Sequence, residues 1–179
     1  FPKKLAVEAT PGAMKGVEKM RKAEAEREAQ RRADATAQAD ALRGKVVVVE
    51  AFQMLCPGCV SHGIPQAQRI QAAFASAGVA VLGMHTVFEH HAAMTPVSLA
   101  AFLHEYKVTF PVGVDRAHES GMPETMRAYH MQGTPTLILI DMQGRLRQQW
   151  LGAVSDLVVG AEIMRLVLEH DDPSTSVQA

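Results

Sequence analysis

The sequence predicts an α/β fold of three layers, a mixed central sheet between helices, preceded by a helical extension. Three observations predict it. Val46 to Val49 form an unbroken β-branched run, the composition of a strand covered on both faces. Short apolar runs then alternate with segments of helical composition as far as residue 169, the pattern of strands crossed over by helices. The last two runs, TLILID and RLRQQWLG, are separated only by a turn at Met142–Gly144, so the sheet closes with an antiparallel hairpin and is mixed.

Size and charge narrow the class. A chain of 179 residues with 47% hydrophobic content fills one domain and leaves residues over. A formal charge of −1 provides no basic field, so neither nucleic acid nor an anionic membrane is expected as a partner. No apolar run approaches the ~20 residues that cross a bilayer, and none at the start reads as the core of a signal peptide. The chain begins at Phe1, which leaves room for a removed targeting segment. The cytoplasm is the expected compartment and the periplasm the alternative.

In chain order, residues 1–43 read as the extension, 44–170 as the domain and 171–179 as a disordered tail. Thr10 reads as an N-cap with Pro11 at the first helical position. From there to Leu42 the chain is mostly Ala, Glu, Lys, Arg and Gln, with Glu18–Lys22 and Glu28–Arg32 one turn apart; Gly44 ends the helix. Its apolar stripe is only Met14, Val17 and Met20, which makes it a solvated arm or a surface for weak self-association. Beyond the valine run, helices are expected at 66–77, stopped by Gly78, at 96–107, at 123–131 and at 157–169. Strands are expected at 79–87, 110–115, 136–141 and 145–152.

Cys56 and Cys59 are the only cysteines, with two residues between them, directly after the valine strand. That spacing puts two sulfurs within disulfide reach on the first turn of a helix, where unpaired N–H groups and the helix dipole favour a thiolate. Glu50 closes the valine run. A carboxyl on an apolar strand has its pKa raised by burial and can then trade a proton with a thiol near neutral pH; the alternative is a side chain at the strand end facing water.

Three stretches together resemble the thioredoxin-fold proteins of the redoxin group: VVVVEAFQMLCPGC, FPVGVD and YHMQGTPTLILIDMQG. They are similar to the strand and CxxC turn, to the later short strand, and to the Gly-Thr-Pro-Thr loop that enters a strand in thioredoxin-like disulfide reductases and peroxiredoxin-related redoxins. The resemblance covers Gly44 to about His170 and implies a thioredoxin-like three-layer α/β/α domain. It implies that Cys56 attacks a substrate disulfide and that Cys59 resolves the mixed disulfide. Glu50 falls where thioredoxins keep a buried acid, Pro135 where they keep a cis-proline, and Thr134 where the backbone pairs with substrate. Pro57 and Gly58 complete the substrate-facing turn, in the opposite order to thioredoxin's, with Leu55 where thioredoxin has tryptophan. Pro65 lies one residue farther from Cys56 than the family's helix-kinking proline, which places an irregular first turn around Gly63. The implied partners are a disulfide-containing protein or small molecule and an unidentified electron donor; no cofactor is implied.

Two alternatives stand beside that reading. A peroxiredoxin-like peroxidase would use a threonine three residues before its reactive cysteine, and this chain has Gln53 there. A copper-binding or delivery module would combine Cys56 and Cys59 with His62, or with one of His85, His90, His91 and His130.

Overall fold

The computed structural model describes residues 11–119 and 121–171. The Thr10 cap and the tail beyond Asp171 lie outside them. The chain divides into two units, residues 1–41 and 42–179. Among its described residues the first contains one helix, α1 (Pro11–Asp40), on which Met14, Val17 and Met20 are exposed.

The second unit is built on five strands, β1 (Val46–Phe52), β2 (Val79–His85), β3 (Val112–Val114), β4 (Thr136–Ile140) and β5 (Leu146–Leu151), in the order β3-β2-β1-β4-β5. The pairs β1–β2 and β2–β3 are parallel, and β4 is antiparallel to both β1 and β5. The valine run thus occupies the centre, and the mixed sheet and closing hairpin are as expected. Helices α2 (Ile64–Ala73), α3 (Pro96–Glu105), α4 (Glu124–Ala128) and α5 (Asp156–Asp171) cover the faces.

Alternation along β1 sorts the core. Val46 and Val48 pack with Ala67 and Ile70 of α2 and with Val159, Ile163 and Leu166 of α5. Phe52 joins Leu99 and Phe102 of α3 in a cluster that also holds Cys59. Val49 and Ala51, on the other face, meet Met126 of α4 and Met131. Each fully buried aliphatic side chain contributes on the order of 1.5–3 kcal/mol, so the sheet is held from both sides.

Several elements are shorter than the sequence indicates, for local reasons. The 66–77 helix begins earlier, at Ile64, and stops at Ala73, because Phe74 leaves helical geometry (φ −110, ψ 14) and turns intervene before Gly78 with its φ of +69. α3 starts as its residues dictate, Thr95 Oγ1 accepting from the Ser98 amide and Pro96 following, but ends at Glu105, two residues before Lys107, whose φ is +54. The 123–131 helix is one turn of five residues and the 110–115 strand three, since Pro111 has no N–H to give the ladder and only its carbonyl joins, to the Gly83 amide. The 79–87 strand ends at His85. No helix among the described residues is long and apolar enough to cross a membrane.

Candidate active site at the end of the central strand

The topology brings two distant segments to one edge of the sheet. β1 runs toward that edge and hands the chain to Gln53–Cys56, while antiparallel β4 starts there, Thr136 pairing with Ala51. The Cys56–Cys59 turn and the Thr134–Pro135 loop therefore meet without either being near the other in sequence.

Cys56 sits immediately before the first helical residues, Pro57 and Gly58. Its amide donates to Gln53 O at 3.2 Å, closing the turn off the strand, and its carbonyl accepts the first helical bond from Val60 N at 3.1 Å. Its sulfur does what a cap side chain does: Cys59 N donates to Cys56 Sγ at 3.2 Å. On its other side, Cys56 Sγ is 3.5 Å from Thr134 O. The Thr134–Pro135 peptide bond is cis, and Gly58 faces the proline, since a Cβ there would lie 3.2 Å from Pro135 Cδ.

Both thiols are free, and they differ in access: Cys56 is half-buried and Cys59 is 0% exposed. Burial, then its hydrogen bond with Cys56, push the Cys59 thiol up to about 12, against opposing contributions from Gln53 and Thr134. Glu50 is 1% exposed in mid-strand, between Gly83 and Leu137, and Oε1 has no hydrogen-bond partner. Burial first, and the neighbouring Cys56 second, hold its carboxyl well above the ordinary value. The alternative of a solvent-facing Glu50 is thereby corrected, because β1 continues two residues past it and its carboxyl lies under the turn at Gly63.

The irregular first turn takes the form of a π-helical turn, Cys59–Gly63, in which the Ile64 amide reaches back to Cys59 O. One extra residue in that turn absorbs the one-residue displacement of Pro65. It also seats Gly63, which sequence reasoning did not place in the site. A Cβ on Gly63 would collide with Glu50 Oε1, and would come within 2.9 Å of that carboxyl carbon and 3.0 Å of Pro135 Cβ. The available signal was a glycine inside a helical segment, a costly choice unless a close approach requires it.

Among the described residues no three of His, Cys, Asp and Glu gather as a metal site. His62 Nε2 lies 3.2 Å from Val154 O instead, and His85 is buried beside Phe52, where burial lowers its pKa. His90 and His91 are exposed on a loop. Gln53 is buried with its amide spent on the loop after β2, accepting from Phe88 N at 3.4 Å and reaching Glu89 at 3.5 Å.

A family model described as the AhpC/TSA family matches residues 19–149. The solved structure of a thioredoxin-like superfamily protein, SPOA0173, is 64% identical, with a TM-score of 0.70 over 72% of this chain and 84% of that one. A thiol-disulfide isomerase from Corynebacterium glutamicum is 51% identical, with a TM-score of 0.70 and the same coverage, 72% and 84%. A putative thiol:disulfide interchange protein DsbE from Chlorobium tepidum is similar in fold alone, with 22% identity and a TM-score of 0.60 over 72% of this chain and 84% of that one. No curated protein matches the sequence significantly.

Proposed function

The chain belongs to the AhpC/TSA family of redoxins, and on that premise we propose that it exchanges disulfides through Cys56 and Cys59. The observation that carries this reading is the asymmetry of the two thiols. The accessible sulfur of Cys56 caps the helix and faces the Thr134 carbonyl, with the inaccessible Cys59 directly behind it.

In the first step the Cys56 thiolate attacks one sulfur of a substrate disulfide. A mixed disulfide forms, the substrate S–S bond breaks, and the departing thiolate takes a proton. In the second step Cys59 loses its proton, with the Glu50 carboxylate as the base, and attacks Cys56 Sγ. The Cys56–Cys59 disulfide forms and the substrate's other sulfur leaves as a thiolate, which takes up a proton. Two electrons have passed from the dithiol to the substrate, and an external thiol donor returns them; run backward, the same steps oxidise a substrate dithiol. Pro57, Gly58, Thr134 and Pro135 form the surface that meets the substrate, a protein or small molecule containing a disulfide. The activity by which the Corynebacterium glutamicum relative is described, thiol-disulfide isomerase, is of this class and supports the reading.

The peroxidase alternative would need a group beside Cys56 to orient a peroxide, and the Gln53 amide that stands in its place is engaged with Phe88 and Glu89. Reduction of insulin disulfides with dithiothreitol as donor tests the proposal. Turnover that is lost in Cys56→Ser supports it; peroxide consumption without insulin reduction would replace it with the peroxidase reading.

A further inference from the structure

Three side chains on successive turns after Cys59 reach one short stretch that runs from the β5–α5 loop to the first residue of α5. His62 Nε2 lies 3.2 Å from Val154 O, and Gln66 Nε2 donates to the same carbonyl at 2.8 Å and to Asp156 Oδ1 at 2.7 Å. Arg69 grips the same carboxylate, Nε to Oδ2 at 2.7 Å and an Nη to Oδ1 at 3.1 Å. A carbonyl only accepts, so His62 presents an N–H at Nε2 whether the ring is neutral or charged. Gln66 is 1% exposed and spends both hydrogens of its amide on this stretch. The Arg69–Asp156 pair is half-exposed and screened by water, so the buried amide is the firmer part of the attachment.

These contacts begin inside the π turn, and that turn seats Gly63 on Glu50 and Pro135. A π turn is rarely populated without surroundings that impose it. We propose that His62 and Gln66 are positioning residues: by pinning the π turn to Val154–Asp156 they hold Gly63 against the Glu50 carboxyl, and so set the proton exchange between Glu50 and Cys59. This rests on the disulfide-exchange reading above. The groups facing His62 are the Gln66 amide and the Asp156 carboxylate, the latter neutralised by Arg69. The N–H at Nε2 is present in either form of the ring, so the pH signature of the step belongs to Glu50.

The test uses the full chain and the disulfide of 5,5′-dithiobis(2-nitrobenzoate). Attack by Cys56 releases one coloured thiolate and resolution by Cys59 a second, so one absorbance trace reports both steps. Gln66→Met and His62→Phe remove the donors, whereas His62→Gln keeps an N–H near the place of Nε2. The first two are expected to slow the second release roughly tenfold, the order that sub-ångström misplacement of a reacting group gives, to shift its pH profile, and to leave the first release within about twofold. His62→Gln should keep the parent rate. In a Glu50→Gln background, Gln66→Met should add less than about twofold, because the two residues act through one step. Equal slowing of both releases, or the same slowing with and without the Glu50 carboxyl, would overturn the inference while leaving the exchange reading in place. A parent protein that shows no second release would overturn both. If Gln66→Met fails to melt cooperatively, the comparison of His62→Phe with His62→Gln decides in its stead.

Discussion

Replacing Glu50 by Gln should stabilise the protein, and by more as the pH rises. The carboxyl is 1% exposed and Oε1 is unpartnered, with its folded-state pKa held well above the ordinary 4.5 by burial and then by Cys56. Between the unfolded and folded values the unfolded chain has lost the proton and the folded chain keeps it, so unfolding releases a proton and rising pH favours unfolding. The stability associated with neutral Glu50 is therefore fully present below 4.5 and is lost progressively as pH climbs to the folded value. Each pH unit in that window costs about 1.4 kcal/mol, and for a chain of this size about 1 kcal/mol moves Tm by roughly 2–4 °C. Gln cannot ionise, so melts of parent and Glu50→Gln should diverge by about 3–6 °C per pH unit above 4.5 and converge below it. Groups common to both proteins cancel in the difference. A difference independent of pH, or a parent that gains on the variant as pH rises, would refute the burial argument.

Iodoacetamide should modify Cys56 and spare Cys59, which is inaccessible and whose thiol burial pushes up to about 12; equal labelling by mass spectrometry would contradict the assignment of roles. Gly63→Ala forces a methyl against the Glu50 carboxyl and Pro135, so it should cost about 1–3 kcal/mol and lower Tm by roughly 2–12 °C. Gly16→Ala, with nothing within 4 Å, should leave the main transition unchanged, and comparable melts for the two would show that Gly63 is not tightly seated. A chain starting at Leu42 should melt cooperatively and retain insulin reduction, since the sheet, both cysteines and the Thr134–Pro135 loop lie beyond that point. Loss of cooperative melting would assign α1 a part in the core, and the same number of chains per particle before and after removing α1, by sedimentation equilibrium, would exclude self-association through Met14, Val17 and Met20.

Much of the fold was legible because the signals were local. Four valines announce the central strand, and the run from Thr136 to Ile140 needs no distant partner to be read as a strand. Helix ends were less legible: Gly78 looked like the stop, but a break in helical dihedrals at Phe74 came first. Within the site, the residues that bear chemistry were readable from type and spacing, while those that position them were not. The Pro65 displacement predicted an irregular turn around Gly63, but not that the turn would seat Gly63 on Glu50. Nor could Gln66, one of several glutamines on a helix of ordinary composition, be linked to Val154 and Asp156, 88 and 90 residues later, before the fold had brought them together.

The central claim is that Cys56 attacks and Cys59 resolves, and trapping the intermediate tests it most directly. Reduced Cys59→Ser and Cys56→Ser variants are each mixed with an excess of a peptide disulfide, and the products are read by intact mass and peptide mapping. The account predicts that Cys59→Ser accumulates one peptide in disulfide linkage to Cys56, that Cys56→Ser stays unmodified on the same timescale, and that the parent passes to the Cys56–Cys59 disulfide while releasing reduced peptide. A stable adduct on Cys59, or a Cys59→Ser protein that forms none, would contradict it.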